Sequence, residues 1–141
     1  MGKVWLKLIG TSERPLQTSY ARPHVDSRKR PRRIRPGDFM FLYAVGGSKR
    51  VFALAQVSSE VYESDDADWP YRMNISYLFN LPVSSGVHIE EISAERNLVR
   101  SIRQASYIEL SPGESALATS KLHEAFKLAD SDETKSRDGS P

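Results

Sequence analysis

Two apolar runs separated by a glycine-rich turn form the clearest pattern along this chain. Residues 39–45 and 51–57 are almost continuously apolar, and residues 46–49 between them read Gly-Gly-Ser-Lys. Apolar runs of this length are typical of strands buried on both faces, and a short glycine-rich connection is typical of a hairpin. The pattern therefore predicts two central antiparallel strands that begin after the Pro-Gly-Asp turn of residues 36–38.

Four further segments have the composition and the boundaries of strands. The one around Trp5 ends at Gly10, and the longest is rich in aromatic and β-branched residues and lies between two prolines. These predicted strands are residues 4–9, 71–81, 87–92 and 107–110. The connection of residues 11–36 is predicted to be irregular, because its four prolines exclude a long helix. An irregular stretch of this length in a small domain usually carries function.

Two capping patterns predict helices in the second half of the chain. Ser93 precedes a short segment whose apolar residues, within 98–102, share one face. Residues 111–114 combine an N-cap serine, a proline at the first helical position and a glutamate at the third, and this helix runs to about residue 129. The sequence thus predicts one α+β domain, mostly β, over residues 1–129, followed by a disordered acidic and polar tail over residues 130–141.

Composition excludes several classes of protein. At 141 residues, 39% hydrophobic and 27% charged, the chain has the size and composition of one globular domain. It contains no cysteine, which excludes disulfides and thiolate nucleophiles, and no apolar run approaches the roughly 20 residues that cross a membrane. The N-terminus lacks the pattern of a secretory signal. We therefore expect a cytoplasmic protein with no membrane partner.

Charge is distributed very unevenly along the chain. Residues 1–50 carry 12 Lys/Arg and 3 Asp/Glu, a net charge of +9, whereas the remainder carries a net charge of −7. Six of the eight residues of 28–35, here called the basic segment, are Arg or Lys. The donor fork of arginine suits phosphate oxygens, so this charge predicts nucleic acid as the partner. The predicted phosphate-binding residues are Arg28, Lys29, Arg30, Arg32, Arg33 and Arg50. A solvated flexible arm or a sorting signal is the alternative.

No catalytic signature accompanies this charge. The chain has neither a Gly-x-Ser-x-Gly elbow nor a phosphate loop, because the glycines of residues 46–49 join two predicted strands instead of opening a helix. His24, His88 and His123 follow no metal-ligand spacing, and the acidic residues of 65–68 lack the twelve-residue calcium pattern. We therefore expect no catalytic residue, no metal and no cofactor.

Two aromatic residues lie outside the strand pattern. Tyr20 lies in the polar connection after the first strand, and Trp69 lies in an acidic turn directly before the strand of residues 71–81. An aromatic side chain in such a position either covers the core or offers a stacking surface to a nucleobase. Both interpretations stay open for Trp69, whereas Trp5 in the middle of a strand is predicted to be core.

Five short stretches, in a fixed order, resemble a known family. They are Val4-Trp5-Leu6 in the first strand, the basic segment, Pro36-Gly37-Asp38 before the hairpin, Trp69-Pro70-Tyr71-Arg72 before the next long strand, and Ser106-Tyr107-Ile108-Glu109-Leu110 before the capped helix. This order is similar to that of an EVE domain, which belongs with YTH domains to the PUA-like superfamily, and the similarity covers residues 3–128. It implies a PUA-like curved β-barrel flanked by short helices, with a pocket for one nucleobase flipped from its strand.

The resemblance also implies which residues contact that base. Thr11 and Ser12 follow the first strand and would contact the polar edge of the base, and Tyr20 stands where YTH domains have a cage tryptophan. Trp69 would supply a second aromatic wall. The implied base-binding residues are thus Thr11, Ser12, Tyr20 and Trp69, with Tyr43 and Tyr71 as weaker candidates.

Together, the residues and the resemblance predict a non-catalytic domain that reads a modified base, methylated by analogy with the family, in DNA or RNA. EVE-like domains often accompany modification-dependent restriction systems, so a restriction or RNA-processing enzyme is the expected protein partner. Three alternatives stay open. They are a PUA-like RNA-binding domain with no requirement for a modification, an ASCH-like enzyme acting on a modified nucleoside near Glu13 and Arg14, and a module whose basic segment docks on an acidic protein.

Overall fold

A curled eight-stranded sheet forms the body of the protein. The computed structural model describes residues 2–10, 20–46, 48–102 and 107–138. The strands are β1 (Val4–Ile9), β2 (His24–Ser27), β3 (Phe39–Ala44), β4 (Arg50–Val57), β5 (Tyr62–Glu63), β6 (Tyr71–Asn80), β7 (Val87–His88) and β8 (Tyr107–Glu109). Their order is β2-β6-β4-β3-β1-β8, with β5 beside β6 and β7 beside β4. The fold is therefore α+β and mostly β, as the sequence predicts.

The predicted hairpin lies at the centre of this sheet. β3 and β4 pair antiparallel from Phe39 opposite Gln56 to Ala44 opposite Arg50, which confirms the prediction. β1 lies beside β3 and parallel to it, and β8 pairs antiparallel with the other edge of β1. Parallel neighbours need a crossover connection. Here the crossover contains β2 and the basic segment, and the basic segment runs from the end of β2 to the turn before β3.

Both faces of the central strands are buried, each by its own hydrophobic cluster. The first cluster includes Trp5, Ile9, Val25, Ile34, Met40, Leu42, Phe52 and Met73. The second cluster, on the side of the C-terminal helix, includes Leu6, Phe41, Tyr43, Leu54, Ile89, Leu98, Ala118 and Leu122. Because alternate residues of a strand point to opposite faces, burial on both sides explains why β3 and β4 read as continuous apolar runs.

Within the described ranges, two α-helices and two short 3₁₀ helices complete the fold. The predicted cap of the second α-helix is confirmed, because the backbone N–H of Glu114 donates to Ser111 Oγ at 3.1 Å and the N–H of Ser111 donates to Glu114 Oε1 at 2.8 Å. Within the described residues, no helix combines the length and the apolar composition needed to cross a membrane. The α-helices are α1 (Leu98–Ile102) and α2 (Pro112–Asp138), and the 3₁₀ helices are Val83–Ser85 and Ile89–Ile92.

The end of α2 lies further along the chain than the sequence pattern predicts. The helix continues to Asp138, whereas the last apolar residue of its packed face is Ala129. Residues 130–141 contain no apolar residue, and hydrophobic periodicity cannot mark helical turns that have no apolar face. The predicted helix end at residue 129 is therefore wrong, while the division into a domain of residues 1–129 and a disordered tail of 130–141 stays a prediction.

β2 is a strand that the sequence pattern misses. The connection of residues 11–36 is predicted to be irregular, yet His24–Ser27 pairs antiparallel with the first half of β6. Of its four residues only Val25 and Ser27 are buried. The strand is thus too short and too polar to show an alternating pattern, and its pairing with a partner far along the chain creates it.

The segment before α1 also differs from the prediction. Of the predicted strand at residues 87–92, only Val87–His88 is extended, and a 3₁₀ helix follows it. Ser93 does not cap α1, because its hydroxyl donates back to a carbonyl of that 3₁₀ helix at 2.8 Å. Asn97 supplies the cap instead, where its Oδ1 accepts from the backbone N–H of Arg100 at 3.1 Å.

Candidate nucleic-acid interface

A cavity of about 340 Å³ lies at the carboxyl end of β1. Its volume falls at the lower end of the range of about 300–1,000 Å³ typical of small-molecule sites. It is lined by Leu8, Ile9, Gly10, Tyr20, Arg22, Asp26, Asp66 and Trp69. The fold thus brings together Tyr20 and Trp69, the two aromatic residues that the sequence places outside the strands. The end of β1, β2 and the acidic turn before β6 each contribute one wall.

Tyr20 forms one wall of this cavity. Its ring packs on the first cluster and meets Phe52 edge to face, with the ring centroids 6.3 Å apart. Its hydroxyl donates to the carbonyl oxygen of His24 at 2.7 Å. Burial raises the pKa of Tyr20 well above the ordinary value for a phenol, so the side chain is neutral. Because the hydroxyl already has a partner in the protein, the ring is the part of Tyr20 available to a ligand.

Trp69 forms a second wall of the cavity. The acidic turn holds its backbone, because Asp66 Oδ1 accepts from the N–H groups of Asp68 and Trp69 at 2.9 and 3.1 Å, and Ser64 Oγ donates to the Trp69 carbonyl at 2.9 Å. Its side chain is half-buried and is a member of neither hydrophobic cluster among the described residues. Trp69 is thus positioned by its turn, and the interpretation as a cover of either cluster is not supported.

Arg28 connects the basic segment to this cavity. Its guanidinium carbon lies 4.6 Å from the centroid of the Trp69 ring, within the range of a cation–π contact. Arg30 makes a longer contact of the same kind with Tyr71, at 5.8 Å. The start of the basic segment therefore lies along the aromatic rim of the site.

The basic segment is anchored to the body of the protein. Pro31 and Ile34 are buried, and Ile34 belongs to the first cluster, while the cationic side chains of the segment are exposed. Arg30 and Arg32 line an open groove of about 600 Å³. The charge of Arg33 is paired, because its Nη2 lies 2.6 Å from Glu109 Oε1. Such alternation of apolar anchors and exposed cations fixes a charged surface next to the cavity, and a free arm would lack those anchors.

Asp38 joins the basic segment to β1. Its buried carboxylate accepts from Trp5 Nε1 at 2.9 Å, from the N–H of Lys3 at 2.9 Å and from the N–H of Arg35 at 3.0 Å. Gly37 before it has a φ of 92°, in the left-handed region that favours glycine. The Pro-Gly-Asp turn noted in the sequence therefore fastens the last residue of the basic segment to the first strand.

Asp26 contributes a charged side chain to the lining of the cavity. Its carboxylate lies 2.8 Å from Arg72 Nε, and Arg22 and His24 approach it at 3.7 and 3.9 Å. The hydrogen bond to Asp26 raises the pKa of Arg72, and burial followed by the charge of Arg72 lowers the pKa of His24. The carboxylate is thus balanced by fixed arginine charge, and His24 is held towards its neutral form.

Lys7 is a buried cation that the sequence analysis does not single out. It lies in β1 on the same face as Trp5 and Ile9, and its side chain is only 1% exposed. Burial lowers its pKa to about 8, and the negative charge of Asp26 opposes that shift. A lysine in the middle of the apolar strand Val-Trp-Leu-Lys-Leu-Ile was the available signal, because lysine is almost never fully buried without a partner.

Three other predicted residues lie away from the cavity. Arg50 donates to the carbonyl of Gly86 at 2.7 Å and lines a different cavity, next to α2. Tyr43 is 5% exposed in the second cluster, and Tyr71 lies beneath Arg30 and does not line the cavity. Thr11 and Ser12, together with Glu13 and Arg14 of the enzyme alternative, lie outside the described residues, as does Gly47 of the hairpin turn.

Metal ligation has no support in this part of the chain. Among the described residues, no group of three or more His, Asp and Glu side chains is arranged to hold a metal ion. The cavity offers one carboxylate engaged by Arg72 and one held in the turn by backbone N–H groups. The cavity thus combines aromatic walls, two engaged carboxylates and the nearby guanidinium of Arg28.

Comparison with known proteins finds solved structures that are similar to this chain. No family model matches the chain, and no curated protein matches it in sequence. The NMR structure of Rpa0253 from Rhodopseudomonas palustris is similar, with a TM-score of 0.55 and 15% identity over 89% of this chain and 94% of that one. The crystal structure of Atu2648 from Agrobacterium tumefaciens has a TM-score of 0.50 and 14% identity over 90% of this chain and 92% of that one. At these identities the similarity shows that the chain shares the overall fold of both proteins.

Proposed function

We propose that the protein is a non-catalytic, PUA-like reader of a modified nucleobase in DNA or RNA, of the EVE type. The observation that carries the proposal is the meeting of Tyr20 and Trp69 in one cavity, with Arg28 of the basic segment over the Trp69 ring. The cavity would hold one extruded base, and the basic segment would bind the phosphates on either side of it. The expected partners are a cytoplasmic nucleic acid and a restriction or RNA-processing enzyme.

The energies of such a pocket fit these residue types. Stacking of a base on an aromatic side chain contributes roughly 1–3 kcal/mol, and a buried methyl group contributes about 0.8 kcal/mol. A methyl group alone therefore discriminates only about fourfold, so polar contacts to the base must supply further selectivity. Extruding a base costs a few kcal/mol in a duplex and less in a single strand. Phosphate contacts from the basic segment would offset that cost.

Trp69→Ala is the direct test of the base pocket. If Trp69 stacks on the base, the variant should lose roughly 1–3 kcal/mol of binding free energy and its preference for the modified base. Its melting temperature should stay close to that of the parent, because the side chain is a member of neither cluster. Binding would be measured by fluorescence anisotropy with matched oligonucleotides, modified and unmodified, in DNA and in RNA.

Tyr62→Ala is the matched control for this experiment. Tyr62 is an exposed aromatic residue of β5 that does not line the cavity, so its removal should leave the preference unchanged. Equal binding of modified and unmodified ligands by the parent and the Trp69 variant alike would contradict a base reader. The remaining function would then be RNA binding without a requirement for a modification.

The basic segment should supply most of the salt dependence of binding. Replacing Arg28, Lys29, Arg30 and Arg32 with serine should reduce the slope of log K against log salt by roughly one unit for each phosphate that the variant no longer binds. Arg33 should contribute less because it is already paired with Glu109. Titrations at four salt concentrations would measure the slope.

Lys121 and Lys127 of α2 provide cations for the control, because α2 packs on the second cluster whereas Ile34 anchors the basic segment in the first. Their replacement with serine should leave the slope near the parent value. A slope that is unchanged in the basic-segment variant would place the phosphate contacts on another surface. Arg50 is left out of the proposed surface because it lines the cavity next to α2.

A further inference from the structure

Asp26 brings a sheltered carboxylate to the aromatic cavity. It lies on the partly exposed face of β2 and lines the cavity, while only 14% of its side chain is exposed. Burial and, among smaller causes, the negative charge of Asp26 raise the pKa of Tyr20, so the carboxylate lies near that aromatic wall. A base that enters the cavity therefore comes next to a carboxylate.

The carboxylate of Asp26 is oriented by one strong hydrogen bond. Arg72 Nε donates to its Oδ1 at 2.8 Å, whereas Arg22 Nη1 lies 3.7 Å from its Oδ2, beyond hydrogen-bond distance. An ionised carboxylate accepts hydrogen bonds at about four lone-pair sites and donates none. The bond to Arg72 uses one of these sites, so it orients Asp26 without exhausting the capacity of the carboxylate to accept.

We propose that Asp26 is a specificity-determining residue that accepts a hydrogen bond from the exocyclic amino group of the inserted base. This inference rests on the proposed function and names its ligand class. The ligand is cytosine or adenine, or a modified form that keeps an amino N–H, and not thymine or uracil. Thymine and uracil present a carbonyl oxygen where cytosine presents its amine, and that oxygen would meet the carboxylate acceptor to acceptor.

Asp66, the other carboxylate of the lining, is less suited to this role. It is exposed, and its Oδ1 already accepts from the backbone N–H groups of Asp68 and Trp69. Water competes for hydrogen bonds at an exposed group, whereas an unsatisfied polar group in a sheltered site weakens binding much more. Carboxylates also accept from the amine of cytosine in the direct readout of DNA. The sheltered carboxylate of Asp26 is therefore the one that discriminates between base edges.

The experiment compares four oligonucleotides that differ at one unpaired position and form two matched pairs, 5-methylcytosine with thymine and adenine with hypoxanthine. Within each pair a carbonyl oxygen replaces the amine, and the rest of the heavy-atom skeleton is unchanged. In the pair that contains the tightest ligand, the parent should prefer the amino base about tenfold or more. Equal binding within that pair, or a preference for the carbonyl base, would overturn the role of Asp26 before any variant is made.

Asp26→Asn, compared with Asp68→Asn, assigns the preference to this side chain. The amide keeps the shape of the carboxylate and offers both a donor and an acceptor, so the ratio should fall to about one. Asp68 is exposed and does not line the cavity, so Asp68→Asn removes the same charge beside Trp69 and should leave the ratio unchanged. A thermal melt would show that each variant is folded. If Asp26→Asn does not fold, the ratio of the parent decides.

Trp69→Ala, measured beside them, separates the two proposals. Loss of affinity for all four ligands in Trp69→Ala, with loss of the base ratio in Asp26→Asn, supports both. If Trp69→Ala weakens binding but folded Asp26→Asn keeps the ratio of the parent, the pocket stands and Asp26 serves only to hold Arg72. A parent without a preference for the amino base likewise leaves the pocket standing and the role of Asp26 wrong. If Trp69→Ala has no effect on any ligand, the base pocket fails and the Asp26 inference fails with it.

Discussion

Lys7→Met should raise the free energy of unfolding by about 3 kcal/mol at pH 7. Burial lowers the pKa of Lys7 from its ordinary value of 10.5 to about 8, and each unit of such a shift corresponds to about 1.4 kcal/mol. Below pH 8 the amine is charged in both the folded and the unfolded chain, and the folded state carries the whole cost of burying it. Methionine fills similar space without that cost. Urea denaturation at pH 7 would measure the gain.

The gain should shrink as the pH rises from 8 to 10.5. In that range the folded parent releases the proton of Lys7 while the unfolded chain keeps it, so the parent becomes more stable and approaches the variant. Lys127→Met, at an exposed position of α2, should change stability by no more than about 0.5 kcal/mol at either pH. Lower stability of Lys7→Met at pH 7 would mean that the ammonium has a stabilising partner within the protein.

Phe41→Ala should lower the free energy of unfolding by about 3–5 kcal/mol. Phe41 is 1% exposed in β3 and packs in the second cluster with Leu54 and Leu122, so its removal leaves a cavity between the sheet and α2. Urea denaturation at neutral pH would measure the loss. Leu78→Ala is the control, because Leu78 is 50% exposed and should lose little.

A fully stable Phe41→Ala protein would contradict the burial of the central hairpin on both faces. The location of Phe41 in the second cluster also bears on the binding measurements. Ile9 and Tyr20 of the cavity pack in the first cluster and Phe41 packs in the second, so the folded fraction of Phe41→Ala should keep the base preference that we propose for the parent. Loss of stability and loss of recognition are thus expected from different variants.

The elements that the sequence predicts well are those whose signal lies within one short stretch of the chain. β1, the β3–β4 hairpin, β6, β8 and the cap of α2 all follow from residues close together in the chain. β2 could not be predicted, because four residues with two buried side chains carry too little pattern and its partner strand lies more than forty residues away. The sequence does not predict the last turns of α2, because a helical segment without an apolar face shows no hydrophobic periodicity.

The sequence predicts the two aromatic residues of the site, but it does not predict the charged side chains that the fold brings near them. Tyr20 and Trp69 stand out because they interrupt polar loops. Lys7, Asp26 and Asp38 acquire their roles only through contacts with residues far along the chain, such as the bond from Trp5 Nε1 to Asp38. The sequence predicts that Arg50 binds phosphate together with the basic segment, because both carry positive charge near the hairpin. Charge alone does not tell which cavity a side chain lines.

The location of β1 between β3 and β8 bears on how the protein folds. Val4 pairs with Phe39, and Trp5 pairs with Glu109, so both neighbours of β1 are distant in sequence. In domains dominated by such non-local pairings, long loops must close before the stabilising contacts between strands can form. Such domains fold in milliseconds to seconds. The cavity at the end of β1 depends on this late assembly, because its walls also come from β2 and the turn before β6. If the protein reads a base as proposed, partly folded chains would expose the basic segment but lack a place for a base, and their contacts with nucleic acid would be confined to its backbone.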